Sequence, residues 1–485
     1  MIDFSKIEQY RENNRIEAKK ALGGLPESIW ETYSAFANTL GGILLLGVEE
    51  QKDKTLHTVD LPDPEWMVEE FWNIVNDPDR TSVNILSPRH VRIENVNGDR
   101  IVVITIPRAQ RYDRPVYVGG DPISGTYRRS GEGDYRCTRE EVMSMFRDAE
   151  MQTRDMKVLD DMGLDILHDE SILRYRIRME ERRPGHAWEE LGETEFLCRL
   201  GAAGMGPDGA VHPTAAGLLM FGTSEEIVRE FPQYHLEYRE YMGNDDNCTD
   251  TILSDSKDWS GNLHDFYFRV CNRLIRGVRS TFREESGDAD DTPVHKALRE
   301  ALANSLVNAD YCGCGGLVIV KRRDRITVSN PGAFRIGPDT ARNGGVSDPR
   351  NAAILRMFHL IQIGNGVGGG IPGIYAAWKK QGWALPTIEE RFRPETTVLS
   401  LPLSGASEEG SSGTDGVGNV PVRKDTREMS VAEYLTDHIS ATCGELARHL
   451  EIENEEADHL LREMAEAGIV VTLETGGEPL YKLRS

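Results

Sequence analysis

Apolar positions along residues 1–150 come in short blocks whose spacing switches between the periods of strand and helix. After a short N-terminal helix, residues 15–20 read as a strand and residues 27–40 as a helix. The run GGILLLGV at 41–48 is short and glycine-bounded, which suits a strand buried on both faces better than a helix. Further strands are expected at 91–93, 100–106 and 125–129. Thr138 is placed to cap a closing helix that carries Glu140, Glu141, Met143 and Phe146. Residues 151–285 show helical periodicity around 159–183 and 193–200, then the segment TAAGLLMFG at 214–222, and read as a connecting helical and mixed module. Residues 286–403 return to an α/β pattern. Residues 404–427 are rich in Gly and Ser and nearly devoid of apolar side chains, as a flexible linker would be. In 428–485 the order is helix (430–437), helix (443–450), helix (455–467) and two strands around Gly476 and Gly477, which is the order of a winged helix-turn-helix. The fold class expected is a multidomain α/β (α+β) protein.

Length supports the division, since 485 residues exceed what one hydrophobic core serves. No stretch approaches the roughly 18 uninterrupted apolar residues of a membrane span, and the N-terminus has no apolar signal core. No membrane association and a cytoplasmic location are therefore expected. The 7 cysteines are scattered, so they are read as reduced thiols, with no zinc set among them.

The net charge of −24 opposes non-specific affinity for phosphate backbones, so any nucleic-acid contact has to be local. The candidate is residues 100–139, where arginines outnumber acids: Arg108, Arg111, Arg114, Arg128 and Arg129 are the expected contacts, the alternative being a solvated sheet edge. The third helix of the tail carries Glu455, Glu456, Asp458, Glu463 and Glu466 against Arg462. A protein partner or dimerisation suits it better than a DNA groove, because carboxylates are repelled by phosphates.

The segment HKALREALANSLVNADY at 295–311 carries the strongest chemical signal. On a helix Glu300, Asn304 and Asn308 fall at i, i+4 and i+8, one polar stripe facing one cavity, while Leu298, Ala301, Leu302 and Leu306 supply the buried side. An Asn carbonyl oxygen can complete the shell of Mg²⁺ held between phosphates, and a Glu one turn away can orient a water. Downstream, RITVSNPGAF at 325–334 reads as a strand ending in a turn, with Gly332 allowing close approach of a ligand. The glycine-dense stretch GNGVGGGIPG at 364–373, with Gly366, Gly368 and Gly370, precedes a helix and would present N–H groups to phosphate oxygens. The alternative is a solvated helix face beside a flexible loop.

Taken in this order, residues 200–403 resemble the GHKL ATPase fold, in the variant found at the C-terminal end of RecG-like proteins and transcriptional regulators. The shared features are TAAGLLMFG, the E-A-L-x-N helix, the N-P-G turn and the Arg350-Asn351 pair. The resemblance implies ATP with Mg²⁺: Glu300 for water activation, Asn304 as the Mg²⁺ ligand, and Asn330 with Gly332 at the adenine. Active GHKL enzymes carry Asp where this chain has Asn330, a neutral and weaker acceptor, so binding is expected more than turnover.

Residues 5–148 resemble the AlbA-type (divergent AAA-4) domain of Schlafen proteins, through IEAK at 16–19, SAFANTLGG at 34–42, GVEE at 47–50 and GTYRR at 125–129. In nuclease-active relatives three carboxylates act together. The matching residues are Glu12, Glu17 and Glu50, the last in place of the usual Asp, with Lys19 on the face of Glu17. Such a set can hold Mg²⁺ or Mn²⁺ for phosphodiester cleavage. The reading expected first is an ATP-binding, nucleic-acid-binding protein, regulatory or defence-related, in which nucleotide occupancy gates nucleic-acid binding or homo-oligomer assembly. A metal-dependent endoribonuclease acting on structured RNA such as tRNA, and a winged-helix transcriptional regulator, are the alternatives.

Overall fold

The structure is a computed structural model. It describes residues 4–243, 247–278, 292–364, 369–392, 394–404, 441–450, 454–466, 470–473 and 480–483. The chain folds as two compact units, Met1–Ser407 and Glu408–Ser485, and is a mixed α/β multidomain protein.

The first unit begins with β1 (Ile16–Lys19), α1 (Ser28–Ala37), β2 (Gly42–Leu46), the hairpin β3 (Val48–Glu50) and β4 (Leu56–Thr58), α2 (Pro64–Val75), β5 (Val91–Val96) and β6 (Asp99–Ile106). A four-stranded sheet runs β1-β2-β6-β5, with β1 parallel to β2 and the other pairs antiparallel. Side chains of a strand alternate between faces, and β2 uses both. Leu44 and Leu46 join the core made with α1 and α2, whereas Leu45 joins the opposite core with Ile7, Ile16 and Val103. The unbroken apolar run of β2 follows from this double burial. A one-turn helix, α3 (Pro122–Gly125), leads to the hairpin β7 (Tyr127–Ser130) and β8 (Gly133–Arg136). Helix α4 (Arg139–Ala149) follows, capped by Thr138, whose hydroxyl accepts from the N–H of Glu141 while the Glu141 carboxylate accepts from the N–H of Thr138.

Next come α5 (Asp169–Arg182), α6 (Glu193–Leu200), the short pair β9 (Ala203–Met205) and β10 (Val211–Pro213), α7 (Ala215–Phe221), α8 (Ser224–Glu230), β11 (Leu236–Tyr241), β12 (Asp250–Leu253) and α9 (Leu263–Ile275). Helical structure in the 159–183 stretch is confined to α5, after one 3-10 turn at Leu164–Ile166. The unit closes with α10 (Pro293–Asn308), β13 (Leu317–Arg322), β14 (Arg325–Pro331), α11 (Pro338–Asn343), α12 (Ala352–Leu360), α13 (Gly370–Gln381), β15 (Thr387–Phe392) and β16 (Glu395–Pro402). Strands on both sides of residue 285 share one six-stranded sheet, ordered β12-β11-β13-β14-β16-β15, in which only β11 and β13 are parallel. One continuous core runs from Leu159 to Leu401, with α10 packed among α9, α12 and α13 and against β14.

The segment TAAGLLMFG shows why its glycine is there. Thr214 caps α7, accepting from the N–H of Gly217 at 3.0 Å and donating to the carbonyl of Gly201 at 2.7 Å. A Cβ on Gly217 would overlap the Ala202 carbonyl. Gly217→Ala is expected to destabilise this unit by about 2 kcal/mol through forced repacking of backbone, measured as a fall in the unfolding midpoint; an unchanged midpoint would show that α7 slides freely.

In the second unit, β17 (Ala441–Thr442), α14 (Cys443–Leu450), α15 (Asn454–Glu466), β18 (Val470–Leu473) and β19 (Leu480–Leu483) are described, with sheet order β17-β19-β18. Leu446, Leu460, Leu461, Met464, Val470 and Tyr481 form its core. The helix expected at 430–437 and the turn at Gly476 and Gly477 lie outside the described residues.

Candidate functional site

Helix α10 exists because Thr292 caps it, Pro293 opens it, and Leu298, Ala301, Leu302 and Leu306 bury one side of it. The opposite stripe, Glu300, Asn304 and Asn308, lines a cleft of ≈ 1290 Å³, measured with its open mouth. Asn330, Gly332, Phe334, Arg335, Asp348, Arg350, Gly364 and Gly370 line the same cleft. Asn304 Nδ2 donates to Glu300 Oε1 at 3.3 Å, which leaves Oδ1 as the atom that would ligate a cation; Asn308 Nδ2 turns back to the Asn304 carbonyl at 2.9 Å. Gly370 begins α13 directly over this pair, so close that a Cβ there would overlap Asn304 Nδ2 and Glu300 Oε1. Gly366 and Gly368 lie outside the described residues.

Asn330, at the end of β14, is only 8% exposed, and its Oδ1 is buried without a hydrogen-bond partner. An unpaired buried acceptor in a cleft wall suits a ligand that brings an N–H, as an exocyclic amino group would. Gly332 has φ +96°, and a Cβ there would crowd the Arg350 guanidinium. Asn351 holds the end of α10, donating to the carbonyls of Val307 at 3.0 Å and Ala309 at 2.9 Å. These residues fit a nucleotide with Mg²⁺: Asn304 Oδ1 would hold the ion, which would screen phosphate charge.

The N-terminal carboxylates are also near one another. Burial raises the Glu12 carboxyl above its ordinary range; the Ala18 N–H at 2.9 Å opposes this, and the charges of Glu17 and Glu50 add to it. Glu17 is held by cations of the protein itself, Lys19 at 2.6 Å and Arg129 at 2.7 Å. Glu50 Oε2 pairs with Lys54 at 3.2 Å, while Oε1 is buried without a partner. Repulsion at Glu12 and the orphaned Glu50 oxygen invite a positive charge, but Glu17 is already taken. Among the described residues no group of three or more His, Cys, Asp or Glu is arranged to hold a metal. Glu17 is tied to Lys19 and Arg129 and Glu50 to Lys54, so this geometry does not present Glu12, Glu17 and Glu50 as one open set for Mg²⁺ or Mn²⁺, and no cleavage step follows from it.

The arginine face expected to grip nucleic acid is not a face. Arg111, Arg114, Arg128 and Arg129 are 5%, 4%, 3% and 2% exposed, and Arg108 is nearly as covered. Arg108 pairs with Glu390 and donates to the Phe334 carbonyl at 2.8 Å. Arg111 meets Asp348 at 2.5 Å and the Asp148 carbonyl at 2.6 Å, and Arg128 meets Glu395 at 2.5 Å. Arg129 pairs with Glu17 and with Asp134 at 3.1 Å. Burial, with Arg108 close by, pushes Arg114 down to about 10, and its Nε and one terminal nitrogen have no partner. Four of the five belong to a buried seam between the N-terminal domain and the cleft domain. Asp148, Asp310, Asp348, Glu390 and Glu395, none of them singled out from sequence, are its acids. A single sequence carries no signal for pairs separated by more than 200 positions.

Residues 12–138 match the family described as Schlafen, AlbA_2, and residues 318–399 match the family described as putative ATP-dependent DNA helicase recG C-terminal. Residues 143–237 match a domain of unknown function (DUF8451). No curated protein matches the chain. Among solved structures, the DIP2311 protein from Corynebacterium diphtheriae aligns over 97% of this chain and 95% of its own, at 15% identity and a TM-score of 0.38. The N-terminal domain of a putative ATP-dependent DNA helicase RecG-related protein from Nitrosomonas europaea aligns over 28% of this chain and 95% of its own, at 31% identity and a TM-score of 0.23. Among the described residues no helix is long and apolar enough to cross a membrane.

Proposed function

We propose that this chain, which joins a Schlafen AlbA-type domain to a RecG C-terminal-type domain, is an ATP-binding switch for a nucleic-acid-binding module. The observation that carries the proposal is the double use of Phe334, Arg335, Asp348 and Arg350. All of them line the cleft, and all bond to the N-terminal domain: the Phe334 carbonyl to Arg108, Arg335 to the Asp148 carbonyl, Asp348 to Arg111, and Arg350 to Asp148. A ligand that moves the cleft wall has to act on that seam, and by linkage nucleic acid held by the N-terminal domain acts back on nucleotide affinity. In this reading Asn330 accepts from the adenine amino group, Asn304 holds Mg²⁺, and the α13 N-terminus faces the phosphates. With Arg108, Arg111, Arg114, Arg128 and Arg129 consumed internally, nucleic acid is gripped through few cations and its affinity falls gently with salt. The carboxylates of α15 suit it to a protein partner.

Calorimetric titration with ATP and Mg²⁺ tests the reading. The unaltered protein is expected to bind ATP, and Asn330→Leu and Gly370→Ala to weaken binding about tenfold or more, the loss of roughly one charge-free hydrogen bond or of close approach. Absence of heat with the unaltered protein, or equal affinity in all three proteins, would remove it. The gating part predicts that the affinity for a single-stranded or duplex probe differs between ATP-saturated and nucleotide-free protein; equal affinities would leave a nucleotide site without a switch.

A further inference from the structure

Arg335 follows the glycine of the N-P-G turn by three positions and belongs to none of the sequence motifs. Its side chain is 5% exposed, yet its partners are incomplete. One terminal nitrogen donates to the Pro349 carbonyl at 2.8 Å, the other reaches the Asp148 carbonyl at 3.4 Å, and Asp348 Oδ1 stands 3.6 Å away, beyond hydrogen-bond range. Nε is buried with no partner. The same side chain lines both this cleft and a second, smaller one beside it, ≈ 480 Å³ with its open mouth.

The charge around it is unbalanced. Arg111, Arg335 and Arg350 share the carboxylates of Asp148 and Asp348: Arg350 pairs with Asp148, Arg111 takes Asp348 at 2.5 Å, and Arg335 is left with the long contact. Burial pushes the Arg335 guanidinium below its ordinary value. Asp348 and, less strongly, Asp148 oppose this, while Arg111 and Arg350 push the same way as burial. A desolvated guanidinium with an unused Nε–H and surplus positive charge beside it gains most from an anion with several acceptor oxygens, which can take two of its donors at once.

We propose that Arg335 is the cation that receives the phosphates of the nucleotide bound in this cleft. The inference rests on the nucleotide reading of the cleft and adds the residue that separates a triphosphate from a bare nucleoside. Asp348 is the group the phosphate displaces: once Arg335 turns to the ligand, Asp348 is left to Arg111 alone, so the N-terminal domain senses phosphate through one carboxylate.

The test compares ATP, ADP and adenosine binding to the full chain, unaltered and as Arg335→Met, Arg335→Lys and Asp348→Asn. Met keeps much of the length and the apolar stem of Arg. Arg335→Met is expected to weaken ATP about tenfold or more while leaving adenosine within about twofold, and Lys to recover part of the loss as a point charge without the fork. Asp348→Asn removes the competing carboxylate and is expected to tighten ATP several-fold, a direction that a merely structural role for Arg335 would not produce; this arm stands even if Arg335→Met fails to fold. Equal losses for ATP and adenosine, or ATP binding unmoved by Arg335→Met and Asp348→Asn, would overturn the assignment while the cleft stands. An unaltered protein that binds adenosine and ATP alike overturns the role of Arg335 only; one that binds neither overturns the cleft and this proposal together.

Discussion

Asp148→Ala is expected to be the most damaging single change in the first unit, costing about 3–5 kcal/mol, as removal of one member of a buried ion pair usually does. The Asp148 carboxylate pairs with Arg350, both side chains are buried, and Arg114, itself short of partners, lies in its field. Without Asp148 these guanidinia stay in a low-dielectric seam with less negative charge to balance them. The Asp148 carbonyl, which holds Arg111 and Arg335, is backbone and survives the substitution, so the loss reads on the carboxylate itself. Arg350→Met combined with Asp148→Ala should regain a good part of the stability, because no orphaned charge then remains between them. Unfolding midpoints of the two single variants and the double variant make the comparison. A single Asp148→Ala that melts with the unaltered protein would show that water reaches the seam.

The second large effect is pH dependence through Glu395. Burial alone would raise its carboxyl, but the Arg128 guanidinium at 2.5 Å and the Ser144 hydroxyl at 2.8 Å outweigh burial and hold it at about 2, against an ordinary 4.5. A carboxyl lowered on folding stabilises fully above its unfolded value and loses that contribution as pH falls through its folded value. The window is therefore from 4.5 down to about 2, and the stability lost across it is about 3 kcal/mol. Glu395→Gln should be less stable at neutral pH, with Arg128 left to the Glu141 carboxylate at 3.9 Å, and should show a flatter acid limb. Parallel acid limbs for the two proteins would assign acid unfolding to other carboxylates.

Local chemistry was readable from the sequence, and long-range consumption of charge was not. The stripe of Glu300, Asn304 and Asn308 could be placed on one cleft because i, i+4 and i+8 on a helix leave no geometric freedom, and the structure lines one cleft with all three. The run GGILLLGV announced a strand buried on both faces because apolar side chains in unbroken succession have no solvent side to occupy, and β2 feeds two cores. Thr138 and Glu141 formed the capping box that their spacing permits. The arginines failed for a different reason. Clustering along 100–139 showed positive charge, but Arg108 is answered by Glu390 and Arg128 by Glu395, from strands that meet them only after folding. Glu12, Glu17 and Glu50 lie near one another as the Schlafen resemblance implies, yet Arg129 and Lys54, cations that a carboxylate motif does not mention, pair with two of them. The connecting module expected at 151–285 and the α/β unit expected at 286–403 share a sheet, because β11 pairs with β13 across that boundary.

The seam also bears on how the chain comes off the ribosome. Arg108 and Glu390 are separated by 282 residues, and Arg128 and Glu395 by 267. At roughly 5–20 residues per second of elongation, the nascent N-terminal domain shows a bare cationic edge for on the order of tens of seconds before its acids emerge. During that interval the edge is a sticky anion trap surrounded by RNA, although the finished protein is strongly acidic. A fragment ending near residue 150 would keep that edge open permanently, and nucleic acid captured by such a fragment would report the missing half of the molecule rather than a property of the full chain.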